Sequence, residues 1–188
     1  MKILVYGSTT FGSVVRVLVE ECGHAFAGFI DDKHPSGPDV LGNFDAVAKS
    51  HPAAAFGCVN AVGYNDLAAR QRVTDRIRAA GYAMPALVHP RAIIGRDSRV
   101  DDGSMIMAGT VVDCRVTLEA CVVAWPGVVV AHDTTIGANT FLSPNCTVCG
   151  CCDVGRDCFV GAGAVIVDHA TVAGGTRIKA LERFVPVR

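Results

Sequence analysis

The sequence predicts two units. Residues 1–88 read as a small parallel α/β sheet, Rossmann-like, and residues 89–188 as a parallel β-helix of about five coils with a short carboxyl-terminal tail. Three observations carry this. Every sixth residue from Ile94 to Ile178 is aliphatic or, once, alanine (Ile94, Val100, Ile106, Val112, Leu118, Ala124 and onward). Four residues after each lies a second register of small or β-branched residues, from Ser98 through Thr134, Cys146 and Ala164 to Thr176. A fixed short period marks a stacked solenoid, and a period of six means a parallel β-helix. The first part of the chain lacks that period and alternates apolar runs with helical stretches, the pattern of a parallel sheet faced by helices.

Taken in order, Lys2 to Tyr6 is an apolar strand, followed by Gly7-Ser8-Thr9-Thr10-Phe11-Gly12 as a loop. A helix runs from Ser13 to about Cys22, with Val14, Val15, Leu18 and Val19 on one side. His24 to Ile30 is a second strand, closed by Asp31-Asp32, and Lys33 to Pro38 is a Pro/Gly-rich loop. A short helix at Asp45–Ser50, a strand at Ala53–Val62 and the turn Gly63-Tyr64-Asn65 follow. Asp66 to Ala80 is a helix with Arg70, Arg72, Arg76 and Arg78 on its polar side, and Ala83 to Val88 is a last strand. Ligands of such sheets bind at the carboxyl ends of the strands, here Gly7–Gly12, Asp31-Asp32 and Gly63–Asn65.

In the β-helix three hexapeptides make one triangular coil, so residues 18 apart stack at roughly 4.8 Å. The coils run 94–111, 112–129, 130–147, 148–165 and 166–183. Gly95, Gly137, Gly155 and Gly161 each follow an inward aliphatic residue, where glycine is expected to ease the corner. His132 stands on a corner, and adding 18 puts Gly150 over it. An exposed imidazole beneath a glycine amide is a plausible base and amide donor. A surface histidine on a turn is the alternative, since polar residues are common there.

Composition narrows the function classes. The net charge of -1 offers no electrostatic grip on nucleic acid or an anionic membrane surface. The start MKILVYGS is too short an apolar run for a signal segment, and no stretch approaches a membrane span, so a cytoplasmic protein is expected. Of the nine cysteines, Cys146, Cys152 and Cys158 fall on the small inward register and read as core fillers. Only Cys114, Cys149 and Cys151 would point outward near the CGCC segment, without a CxxC pair, so no metal is expected.

These segments resemble the bacterial sugar acyltransferases of the left-handed β-helix family, in particular the subgroup that N-acetylates nucleotide-linked amino sugars, with the sialic acid O-acetyltransferases nearby. The resemblance covers essentially the whole chain. It rests on Gly7–Gly12, Phe29-Ile30-Asp31-Asp32, Val62-Gly63-Tyr64-Asn65, Leu87-Val88-His89-Pro90, Met107-Ala108-Gly109, Val130–Gly137, Leu142-Ser143-Pro144 and Val160–Ala164. The His-Asp segment followed by Ile136-Gly137 is the most specific piece.

The resemblance implies a homotrimer with acetyl-CoA along the groove between subunits. It also implies His132 as general base, Asp133 as its acidic partner, and Gly150, Gly161 and Ala162 against the thioester and acetyl-CoA. The nucleotide sugar, a uridine nucleotide being favoured, would meet Gly7, Ser8, Thr9, Thr10, Phe11, Asp31, Asp32, Gly63, Tyr64 and Asn65. Attack by the amine on the thioester would be direct, with no cysteine nucleophile.

Two positions depart from the subgroup's pattern. Phe11 and Phe141 stand where relatives carry histidines beside the sugar, and Trp125-Pro126 replaces a small polar pair, so Phe141 and Trp125 are read as the sugar pocket. O-acetylation of a sugar or sialic acid, or a non-catalytic trimeric nucleotide-sugar-binding protein, are the other readings. Val185-Pro186-Val187-Arg188 replaces the family's usual ending, and Arg177, Lys179 and Arg183 could meet CoA phosphates as readily as solvent. Apolar outward residues such as Met107, Trp125, Val129 and Phe159 suit an oligomer. The loop has only the first and last glycines of the dinucleotide fingerprint, and the attached β-helix favours a nucleotide sugar over NAD.

Overall fold

The computed structural model describes residues 1–185; the substitute ending from Pro186 onward lies outside them. Two compact units divide at Met1–Pro85 and Ala86–Arg188. The first holds four parallel strands, β1 (Lys2–Tyr6), β2 (Ala25–Ile30), β3 (Val40–Gly42) and β4 (Phe56–Asn60), in the order β3-β2-β1-β4. The helices α1 (Thr10–Glu21) and α2 (Phe44–Ser50) connect β1 to β2 and β3 to β4, and α3 (Leu67–Ala79) follows β4. The central β1 is buried on both faces at Ile3, Leu4 and Val5, as a parallel strand covered by helices must be.

Several expectations shift here. α1 begins at Thr10, so Thr10, Phe11 and Gly12 are its first turn rather than loop. β3 has only three residues, too few to show a period. Arg70 does not lie on the polar side of α3. Leu67, Arg70, Thr74 and Ile77 recur at spacings of three and four and form the buried stripe, with Arg70 wholly buried. The expected last strand is divided. Ala83 makes an isolated bridge to Gly57, whereas Leu87–Val88 pairs with Met105–Ile106 and is the first strand of the β-helix.

The second unit is a parallel β-helix of two-residue strands in three sheets of six, six and five strands. Partners are 18 residues apart throughout, as in Val123 with Phe141 and Ala124 with Leu142. The aliphatic register is buried from Ile106 to Ile178, and the small register is buried from Ser104 to Ala170. The corners correct the glycine reading. The residue three after each aliphatic position, from Asp97 to Leu181, has positive φ in all fifteen cases, ten of them not glycine. The glycines one residue after the aliphatic position answer to close approach instead. A Cβ on Gly137 would lie 2.4 Å from Arg156 N, and one on Gly161 2.4 Å from Ala180 N.

Hydroxyls on the small register tie successive coils together. Thr140 Oγ1 donates to the Gly155 carbonyl at 3.0 Å and accepts from Cys158 N–H at 3.1 Å, one coil on. Thr134 does the same with Cys149 O and Cys152 N–H. Cys152 and Cys158 take over the donor role with their thiols, to Val167 O at 3.1 Å and Ala173 O at 3.3 Å. Burial pushes both thiols up, and the Cys146 thiol to about 12, so they are unreactive fillers, as expected. Thr140→Val keeps the shape and strands a buried N–H and carbonyl. It is expected to cost about 1–3 kcal/mol, read by denaturant titration.

Met107 is only 5% exposed and so is not one of the outward apolar residues. No helix among the described residues is long and apolar enough to cross a membrane.

Candidate functional site

Two sites take shape, one in each unit. In the first unit a cavity of about 490 Å³ opens at the carboxyl ends of β1, β2 and β4. It is lined by Tyr6, Gly7, Thr9, Asp31, Asp32, Lys33, Ala61, Val62, Gly63, Asn65, Ala69 and Val73. Gly7, Thr9, Asp31, Asp32, Gly63 and Asn65 were expected from the sequence; Ser8, Thr10, Phe11 and Tyr64 do not line it. Tyr6, Lys33, Ala61, Val62 and the α3 residues Ala69 and Val73 were missed, although the ends of the strands on either side pointed to the first four.

The two aspartates differ from expectation. Asp31 is 7% exposed, and both its oxygens are occupied. Oδ2 accepts from Ser8 N–H and Ser8 Oγ, and Oδ1 from the N–H groups of Lys33 and His34. Burial alone would push this carboxyl up, but those four hydrogen bonds outweigh it and hold it below its ordinary value. A carboxylate has about four acceptor sites, so Asp31 is saturated and fixes the Gly7–Thr9 loop rather than meeting a ligand. Asp32 accepts from Phe44 N–H, Tyr6 Oη and Arg76, leaving about one site open to the cavity. Arg76 also grips Asp45, so a residue read as lying on the polar side of its helix ties two carboxylates together.

In the β-helix the site is a corner. Asp133 has a φ of 56°, a conformation Asp tolerates better than most residues. Its carboxylate accepts from His132 Nδ1 at 2.8 Å, assigning that nitrogen as N–H. Arg115 stands one coil below and forks onto the same carboxylate, Nε to Oδ1 at 2.6 Å and a terminal nitrogen to Oδ2 at 2.8 Å. The Arg115 hydrogen bonds, and next that from His132, hold the Asp133 carboxyl well below the usual range, and Arg115 itself is raised by the same contact. Arg115 was missed, although it is 18 residues before Asp133 and the stacking rule that found Gly150 could have found it.

His132 Nε2 makes no hydrogen bond among the described residues, and the side chain is half exposed. Gly150 lies over the ring as the spacing predicted. A Cβ there would come within 2.8 Å of His132 Cε1 and 2.9 Å of Nε2. The Gly150 N–H makes no backbone hydrogen bond among the described residues. The arrangement therefore presents a lone pair on Nε2, a fixed tautomer and a free amide on one corner, which suits proton removal beside a developing oxyanion.

The other expected contacts divide. Gly161 N–H is committed to Ile178 O at 2.9 Å, so of the Gly161-Ala162 pair only Ala162 keeps its amide out of the ladder. Phe141 is 2% exposed and offers no surface to a sugar. It stands instead in an aromatic column, 6.2 Å from Trp125 and stacked at 6.3 Å on Phe159, because the 18-residue register places 141 and 159 side by side. Arg177 covers the end of that column, 4.5 Å over Phe159, rather than standing free for a phosphate.

Residues 2–77 match the PglD N-terminal domain, and residues 133–168 match the bacterial transferase hexapeptide (six repeats). Among solved structures, the acetyltransferase domain of PglB from Neisseria gonorrhoeae FA1090 is 26% identical, with a TM-score of 0.88 over 98% of this chain and 91% of that one. The same domain in complex with acetyl coenzyme A is 25% identical, with a TM-score of 0.77 over 96% and 97% of the two chains. PerB from Caulobacter crescentus, in complex with CoA and GDP-perosamine, is 23% identical, with a TM-score of 0.74 over 92% of each. A comparison with curated proteins finds no match.

Proposed function

We propose that this hexapeptide-repeat acyltransferase moves an acetyl group from acetyl-CoA to the amine of a nucleotide-linked amino sugar, with His132 as general base. The observation that carries the reading is the corner where Arg115 anchors Asp133, Asp133 orients His132, and Gly150 leaves room for the ring. The amine nitrogen attacks the thioester carbonyl and Nε2 takes its proton. The Gly150 N–H faces the developing oxyanion, and the CoA thiolate leaves and recovers a proton. The acetyl donor is supported by the acetyl coenzyme A complex of the Neisseria domain.

The nucleotide sugar is assigned to the 490 Å³ cavity, which matches the place where ligands bind in open α/β sheets. Lys33, Asn65 and the remaining acceptor site of Asp32 are its polar contacts. PerB lends the fold, and its guanosine ligand gives the expected uridine preference no support. The reading extends to a homotrimer, favoured by the outward column Ile93, Val111, Val129, Thr147 and Val165 on one sheet, apolar except at Thr147. It extends also to a cytoplasmic setting, since buried thiols at Cys146, Cys152 and Cys158 suit reducing surroundings.

The test is release of free thiol from acetyl-CoA in the presence of a panel of nucleotide-linked amino sugars, their hydroxyl counterparts and the free amino sugars. Thiol release is expected only with a nucleotide-linked amine. Release with hydroxyl counterparts alone would replace N- by O-acetylation. Saturable binding with no release on any acceptor would overturn the enzymatic reading in favour of a binding protein.

A further inference from the structure

We infer that the His132 corner also holds a borderline-soft divalent cation of the zinc class, which switches the proposed acetyl transfer off. The inference rests on that reading for its consequence but not for the site itself. An imidazole nitrogen of His132, a carboxylate oxygen of Asp133 and the thiol of Cys151 lie within 4.8 Å of one another. Cys151 is 18 residues after Asp133 and stacks above it. Its backbone N–H donates to the His132 carbonyl at 3.0 Å, so the ladder fixes the spacing of the donors. Gly150 places no side chain between thiol and ring.

The donor set is the kind zinc prefers. In a tetrahedral site, bonds of about 2.0–2.3 Å put the donors about 3.3–3.8 Å apart, so closure needs the side chains to draw together by about an ångström. One thiolate and one imidazole select zinc or cobalt over magnesium and calcium, which prefer oxygen ligands. Arg115 bonds both oxygens of Asp133, and a single oxygen given up to the ion leaves the other to Arg115. His132 and Asp133 have side chains 50% and 39% exposed, so an ion enters from solvent and a fourth position stays open to water. Bound there, the ion removes the imidazole from proton transfer.

Cobalt(II) reports the site without any turnover. Titrating the full chain with Co²⁺ is expected to give a near-ultraviolet thiolate-to-cobalt band that saturates at one ion per chain and is displaced by Zn²⁺. Cys151→Ser is expected to abolish the band and weaken binding by more than about 100-fold, beyond the loss of an outer partner. Cys114→Ser and Cys149→Ser should keep it. Zn²⁺ is expected to suppress turnover of the wild type reversibly by at least about tenfold, while Cys151→Ser turns over normally and resists. No band, or a band that survives Cys151→Ser, overturns the site. A Cys151-dependent band without zinc inhibition of an active enzyme overturns the switch and leaves the site standing. A Cys151-dependent band in a protein active on no acceptor counts against the proposed acetyl transfer alone.

Discussion

His132→Ala is expected to lower kcat by about 10²–10⁴-fold, the span that a positioned general base contributes, while changing stability by no more than about 0.5 kcal/mol. The two effects separate because of where the ring sits. It is half exposed, touches Asp133 through Nδ1 and lies under Gly150, so its removal opens no core cavity. The Asp133 carboxylate keeps its Arg115 fork, so no charge is left unpaired. Nδ1–H is committed to Asp133, and only Nε2 can take a proton. Arg115→Ala acts through Asp133 and is expected to cost less in kcat, with partial recovery in Arg115→Lys, because a lysine keeps the charge but loses the fork. Turnover by His132→Ala above a tenth of the wild-type rate would remove His132 from the proton path.

The β-helix was legible because each hexapeptide repeats one environment. The rule of 18 places Gly150 on His132, and the close approach of the ring to the glycine bears it out. The same rule held Arg115 and Cys151, one coil below and above Asp133, but a charged or thiol side chain on a corner carries no periodic signal that marks it out. The corner conformation was invisible for a different reason. Positive φ recurs three residues after each aliphatic position, yet Asp, Asn, Cys, Arg, His and Leu occupy it as well as Gly, so glycine spacing pointed to the wrong residue. In the first unit, Asp31 has the position of a ligand-binding acid and the hydrogen bonds of a structural one. Its residue type is the same in either role. Only its partners' backbone N–H groups, which no sequence pattern encodes, decide between them.

Gly12→Ala is expected to be the most damaging single methyl in the first unit. A Cβ on Gly12 would lie 2.0 Å from the Gly7 carbonyl oxygen and 2.9 Å from its carbon, with Phe29 Cε1 at 3.5 Å behind. The obstacle is backbone, and it has little room to retreat. Gly7 is held at a φ of 111°, its N–H donates to Ile30 O at 2.7 Å, and a Cβ on Gly7 itself would already be 3.0 Å from Ala61 O. Overpacking by a methyl costs typically 1–3 kcal/mol, and a clash with fixed backbone belongs at or above about 3 kcal/mol. Relief requires α1 to lift off the loop between Tyr6 and Thr10, which moves Gly7 and Thr9 out of the cavity wall. Nucleotide-sugar binding should therefore fall together with stability, measured by denaturant titration and by calorimetry with the acceptor found in the panel. Gly63→Ala is the control: it meets nothing within 4 Å, has no positive φ, and is expected to change stability by less than about 0.5 kcal/mol. The β-helix core shares no residue with this loop, so a Gly12→Ala protein is expected to keep the His132 corner and its cobalt band. If Gly12→Ala unfolds no more easily than Gly63→Ala, the close approach of helix to loop is not what this glycine is for.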